Sequence, residues 1–202
     1  MSSAAILYRH QDAFFETDAR FHQLYPVPIQ LLAIRHWTPL HITRQVAQYL
    51  APSDNARVLD IGSGVGKFCL AAAHCMPAAH FFGVEQRKDL VAHAETAREI
   101  LGLQNAHFIH RNFTELDFNE YDHFYFYNSF YENLAATDKI DDNIAYSTEL
   151  YNYYTRYLYN QLDKRPTGTR LITFHSLGEE IPPAYHLVET QVEGLLKFWI
   201  KT

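Results

Sequence analysis

The sequence predicts an α/β fold, three layers deep, with helices on both faces of a mostly parallel sheet. Three observations carry this. A short apolar strand, 57–61, runs into a glycine-rich turn and then an alanine-rich helix. Short apolar segments then alternate with helical segments as far as Phe174. Residues 185–190 and 195–200 read as two further strands joined near Glu193-Gly194, a terminal antiparallel hairpin. The chain has 202 residues, 48% apolar and 20% charged, the balance of one folded domain. Residues 1–52 are expected to form an N-terminal helical cap and 53–202 the core.

From Gln11 to Tyr25, Phe14, Phe15, Phe21 and Leu24 share a helical face, and Pro26 and Pro28 end that helix. A second short helix is expected over 29–37. Thr38 as N-cap and Pro39 at the first helical position start a third, with Ile42, Val46, Tyr49 and Leu50 as its stripe. After strand one, helices are expected over 66–76 and 87–101. The second turns Leu90, Val91, Ala94, Ala97 and Leu101 inward and stops at Gly102. Strands are expected over 80–84, 106–110, 121–127 and 169–174. Residues 137–162 are the most tyrosine-dense part, and Ala145, Leu150, Tyr153, Tyr154, Tyr157, Leu158 and Gln161 in it are read as the helix after strand four, its aromatic face packed on the sheet. Residues 176–183 are read as a lid or rim.

The glycine loop carries the chemistry. Asp60 stands at the strand end, and Gly62, Gly64 and Gly66 follow at every second position, with Ser63 inside the loop. Glycine there permits a left-handed turn and lets backbone approach a ligand closely. The helix behind it adds free N–H groups and a positive dipole end. The spacing is G-x-G-x-G, not the G-x-G-x-x-G of dinucleotide-binding loops. A carboxylate at Asp60 repels a pyrophosphate and favours a cation. Strand two ends in Glu85, nineteen positions after Gly66 and placed to accept both hydroxyls of a ribose.

These residues resemble the first two motifs of class I S-adenosylmethionine (SAM)-dependent methyltransferases. The resemblance implies a Rossmann-like methyltransferase fold, a seven-stranded sheet, SAM as cofactor, and N-terminal helices over the site. It implies cofactor contacts from Asp60, Gly62, Ser63, Gly64, Gly66, Glu85 and Gln86. After strand three, Asn112 takes the slot where family members carry an acid facing the adenine amino group; an amide oxygen can do the same. Phe113 is expected to stack on the adenine. After strand four comes Asn128-Ser129-Phe130-Tyr131-Glu132, similar to the N-P-P-Y/F loop of amino-methylating members but without the prolines. It is also similar in outline to the non-SET histone-lysine methyltransferases, which share G-S-G-V-G, G-V-E and an Asn–Phe pair. Asn128 is expected to face the cofactor. Asn128 and Tyr131 are the candidates to orient the acceptor, and Glu132 and His175 the candidate general bases. Tyr25, His36, Trp37 and His41 are candidate cleft residues.

The net charge of −6 and the lack of a basic block lead to the expectation that no nucleic acid is a partner. A small-molecule acceptor is favoured, with a protein side chain as the alternative. The rivals are a SAM-binding protein without catalysis and an NAD(P)-dependent oxidoreductase, which lacks here the Tyr-x-x-x-Lys dyad of short-chain dehydrogenases. Cys69 and Cys75, six apart in one helix, point in different directions and are read as reduced core residues. The twelve His form no metal signature, so no metal is expected. No signal peptide is evident, and no apolar run reaches the ~18 residues of a bilayer span, so a cytoplasmic location without membrane contact is expected.

Overall fold

The computed structural model describes residues 11–33, 37–134 and 139–202. Seven strands form one sheet: β1 (Arg57–Ile61), β2 (His80–Glu85), β3 (Ala106–His110), β4 (His123–Tyr127), β5 (Arg170–Phe174), β6 (Tyr185–Gln191) and β7 (Leu196–Lys201). Their order is β3-β2-β1-β4-β5-β7-β6. The first five run parallel, and β7 is antiparallel to both β5 and β6. This is the expected Rossmann-like methyltransferase sheet with its terminal hairpin.

The central strands are buried on both faces, as a parallel sheet requires. In β1, Val58 joins one core and Leu59 and Ile61 the other. In β4, Tyr125 faces one side and Phe124 and Phe126 the opposite side. The chain leaves β3 and returns on the far side of β1 as β4. Loops leaving β1 and β4 therefore diverge, and a crevice opens at the carboxyl ends of the strands.

The helices are α1 (Asp18–His22), α2 (Val27–Gln30), α3 (Leu40–Leu50), α4 (Lys67–Cys75), α5 (Lys88–Leu101) and α6 (Thr148–Asp163). Helix α5 buries Leu90, Ala94, Ala97 and Leu101, while Val91 is only half-buried. Gly102 closes it in a left-handed turn at φ 65°, its N–H reaching the carbonyls of Arg98 and Glu99. Cys69 and Cys75 are both free.

Two expectations fail in the N-terminal part. The single helix over 11–25 is instead a 3₁₀ turn, Ala13–Phe15, followed by α1. Thr17 breaks it: its backbone is extended and its hydroxyl caps the Arg20 N–H at 3.2 Å. Thr38 does not cap α3. It is buried and hydrogen-bonds the Tyr125 hydroxyl at 2.7 Å, and Pro39 takes the cap position.

Helix α6 starts at Thr148 rather than near Ala145. Ser147 caps it by accepting from the Leu150 N–H at 3.1 Å. Its Tyr154 packs against Phe113 and Phe130, and Tyr151 and Leu158 join the same core, while Tyr153 is exposed. Residues before the cap are thereby free to line the crevice. Among the described residues no helix is long and apolar enough to cross a membrane.

Candidate active site

A cavity of about 450 Å³ opens beyond the carboxyl ends of β1, β2 and β4. Its wall includes Gly62 and Gly64 from the glycine loop, Glu85 and Gln86 from the end of β2, and Phe113 after β3. The loop after β4 contributes Asn128 to Asn133, and β5 contributes His175. The sequence motifs thus converge on one space.

Each glycine of the loop answers a different need. A Cβ on Gly66 would strike the Phe108 ring and approach Ala94 Cβ to 2.9 Å, so this glycine serves helix–sheet packing and does not line the cavity. A Cβ on Gly64 would meet nothing within 4 Å, although Gly64 lines the cavity at φ 53°. Its bare backbone leaves room for a ligand to lie against it. The residues present therefore fit an adenosyl group.

Glu85 is buried, and its oxygens already accept from backbone: Oε2 from Gly64 N–H at 3.2 Å and Oε1 from Arg87 N–H at 2.9 Å. Burial raises its pKa, which the Arg87 charge and the two N–H groups partly offset. Arg87 is the residue the sequence reading missed. Its Nη2 reaches Glu132 at 2.6 Å and the Tyr146 hydroxyl at 2.7 Å. Its Nε reaches Asp141 at 3.1 Å, and its Nη1 approaches Glu85 at 3.4 Å. One buried guanidinium therefore ties the end of β2 to the loop after β4 and to residues 139–147. The last of these bring Ile140, Ile144, Ala145 and Tyr146 to the cavity wall. An arginine two positions after a strand-closing glutamate was the available signal, but its other partners lie 45 to 59 positions away.

Glu132 is therefore engaged rather than free. Its Oε2 accepts from Arg87, from Tyr146 Oη at 3.1 Å and from Ile140 N–H at 3.2 Å. Asn128 and His175 both line the cavity with left-handed backbones, φ 38° and 54°. Side-chain-bearing residues held in that region are uncommon and cluster at functional sites. Burial lowers the His175 pKa, and its ring lies nearly parallel to Tyr127 at 5.4 Å between centroids. Tyr131 lines the cavity and is 43% exposed.

Other expected residues sit elsewhere. Asp60 and Ser63 line a much smaller adjoining cavity with Gly62, Thr38 and Lys67. Burial and the nearby Glu85 push the Asp60 pKa up to about 8, and its Oδ2 accepts from the Cys69 thiol at 3.6 Å. Asn112 does not line the large cavity. Its Oδ1 caps Thr114, accepting from N–H at 3.0 Å and Oγ1 at 2.9 Å, and its Nδ2 donates to Gln86 Oε1 and Tyr154 Oη. Phe113 stacks on Phe130 at 5.0 Å and lines the cavity. Of the candidate cleft residues, Trp37 lines it, Tyr25 is core with its hydroxyl on the Val65 carbonyl, and His41 is exposed outside both cavities. His36 lies outside the described residues. Among those residues no group of three or more His, Cys, Asp and Glu is placed to hold a metal.

Comparison with known proteins follows the same lines. Residues 52–147 match the methyltransferase-domain family. The chain is similar to tRNA (guanine-N(7)-)-methyltransferases of two Synechococcus strains. The JA-2-3B'a(2-13) protein is 37% identical over 98 residues, 43% of this chain and 41% of that protein. The JA-3-3Ab protein is 50% identical over 54 residues, 27% of this chain and 23% of that one. The chain thus matches less than half the length of these curated relatives. Two solved structures share the fold. TrmN from Thermus thermophilus has a TM-score of 0.54 at 17% identity, over 85% of this chain and 51% of that one. An RNA methyltransferase from Salinibacter ruber, in complex with S-adenosyl-L-homocysteine, has a TM-score of 0.53 at 22% identity, over 82% and 92%. The expectation of no nucleic-acid partner is overturned by the tRNA-modifying relatives. It rested on net charge, which averages a whole surface and says nothing about a single base admitted to a pocket. The loop spacing, the switch-point cavity and the terminal hairpin agree with that domain match: residues 52–147 form a methyltransferase domain, and the sheet has the Rossmann-like fold of SAM-dependent methyltransferases.

Proposed function

We propose that the protein methylates RNA, with a ring nitrogen of a guanine base as the acceptor. The observation that favours this reading is that Glu132, one of the two candidate bases at the cavity beside His175, is engaged. An amine or phenol acceptor must lose a proton before or during attack, and a free base then helps. Glu132 Oε2 instead holds three donors, one of them the Arg87 guanidinium. Guanine N7 carries a lone pair and no proton, so its attack needs no base. The chemistry of the relatives named above points to the same atom.

When bound, SAM supplies a methyl group on an activated sulfur leaving group. Gly62, Gly64 and Glu85 would hold its adenosyl part, and Asp60 its cationic end. The remaining work is positioning. Asn128, fixed in its left-handed turn, and Tyr131 orient the acceptor at the end of β4. Trp37, Tyr127 and His175 offer ring faces at the same cavity. Such faces suit a flat base and stabilise the positive charge that N7 methylation leaves on it.

The test is transfer of labelled methyl from SAM to unmodified tRNA transcripts, followed by nucleoside analysis. The expected product is N7-methylguanosine. Label in the RNA on another nucleoside would keep the RNA acceptor and discard the atom. No label in RNA, with S-adenosylhomocysteine still bound, would discard the RNA reading and favour another acceptor or a non-catalytic role.

A further inference from the structure

Among the described residues, two buried side-chain polar atoms have no hydrogen-bond partner: Ser63 Oγ and Asn133 Oδ1. Ser63 belongs to the small cavity beside Asp60, whereas Asn133 belongs to the wall of the large one. Asn133 is 8% exposed, so bulk water does not satisfy its oxygen. A buried acceptor left unpaired is costly and rare. Its orientation is not interchangeable. Nδ2 donates to the Phe130 carbonyl at 3.0 Å, and turning the amide over would set oxygen against oxygen. The orphan is therefore an acceptor at the cavity wall, open to a donor from a ligand.

Its surroundings say which ligand group. Asn133 ends the 3₁₀ turn that begins at Tyr131, directly after Glu132, which Arg87 links to Glu85. It hangs from Phe130, whose ring stacks on Phe113. This is the Glu85 side of the cavity, where the adenosyl part is expected. The other acceptors there already have a donor or another expected use: Asn112 Oδ1 holds Thr114, Gln86 Oε1 holds Asn112, and Glu85, held by two backbone N–H groups, faces the ribose hydroxyls. Adenine presents one donating group, its 6-amino.

We infer that Asn133 accepts a hydrogen bond from the adenine 6-amino group of the cofactor, the task expected of Asn112. Asn112 instead holds the turn after β3 in shape. This inference rests on the cofactor reading above and adds the residue that distinguishes adenine from other bases.

The experiment titrates S-adenosylhomocysteine and S-inosylhomocysteine into the wild type, N133A and N112A by calorimetry. In the second ligand a carbonyl oxygen replaces the 6-amino group. The wild type should prefer the adenosyl ligand by about tenfold, the worth of one buried hydrogen bond with its mismatch penalty. N133A should lose most of that preference. N112A should retain it. The readout is a ratio within one preparation, so partial unfolding of a variant cancels. Asn133→Ser is measured as well in case the alanine variant fails to fold. An unchanged ratio in N133A or the serine variant, or a ratio near one in the wild type, overturns the inference alone. Wild type that binds neither ligand overturns the cofactor reading and this inference with it.

Discussion

At Glu85 both carboxylate oxygens have a partner before any ligand enters, Gly64 N–H on one and Arg87 N–H on the other. Those bonds fix the carboxylate facing the cavity, and ribose hydroxyls would use its remaining lone pairs. Glu85→Gln keeps the shape and loses the charge. Charge-assisted bonds contribute about 1.5–3 kcal/mol each. Affinity for S-adenosylhomocysteine is therefore expected to fall about ten- to a hundredfold in a calorimetric titration. An unaltered Kd would remove Glu85 from the site. The two glycines separate ligand room from fold. Gly64→Val should abolish binding, because its side chain enters the cavity. Gly66→Ala should instead lower thermal stability, because its Cβ meets the Phe108 ring at φ 79°. The motif residues were legible because chain proximity alone assembles them: Asp60 to Gly66 is one turn, and Glu85 closes the neighbouring strand. Asn112 has a local use as well. An Asn one residue before a 3₁₀ turn caps it, and the cap uses the oxygen that the adenine was expected to need.

The elements divide in the same way. Strands β1 to β5 and helices α4 and α5 follow from apolar runs and their stops, so their boundaries shifted by only a residue or two. The N-terminal helices did not, since Thr17 and Thr38 act through a cap and a buried hydroxyl pair that periodicity does not report. Residues 139–147 were the larger omission. What fastens them to the cavity is Arg87, an ion hub assembled across three separate elements. Removing one partner of such a buried set leaves charge uncompensated, at a cost on the order of 3 kcal/mol. Arg87→Gln should therefore release residues 140–147. The Ile140 amide, which donates to Glu132, is expected to exchange its hydrogen much faster, while amides of β1 keep their protection. Equal exchange at Ile140 in variant and wild type would show that the ion hub is not what fastens the segment. Added S-adenosylhomocysteine should slow exchange there if the segment closes on the ligand.

For the molecule as a whole, the buried Asp60 couples folding to pH and, on the proposed reading, to the ligand. Its carboxyl is buried in the fold beside Glu85, with the Cys69 thiol as its donor, and its pKa stands at about 8 against 3.8 for an exposed aspartate. The folded state thus holds a proton that the unfolded chain releases. Above pH 4 this group makes unfolding progressively easier, until its own ionisation in the folded state near pH 8 ends the trend. A ligand bearing an ammonium group reverses the preference, because a cation beside Asp60 favours the carboxylate. Binding of S-adenosylhomocysteine near pH 7 should then release close to one proton. That release appears as a dependence of the binding enthalpy on the ionisation enthalpy of the buffer. Asp60→Asn should abolish the release. The same variant should flatten the decline in ligand-free melting temperature between pH 5 and 8. If the wild type releases no proton, Asp60 does not meet the cofactor's charged end. Asp60→Asn keeping the same pH slope of stability would mean that its burial is not what the molecule feels.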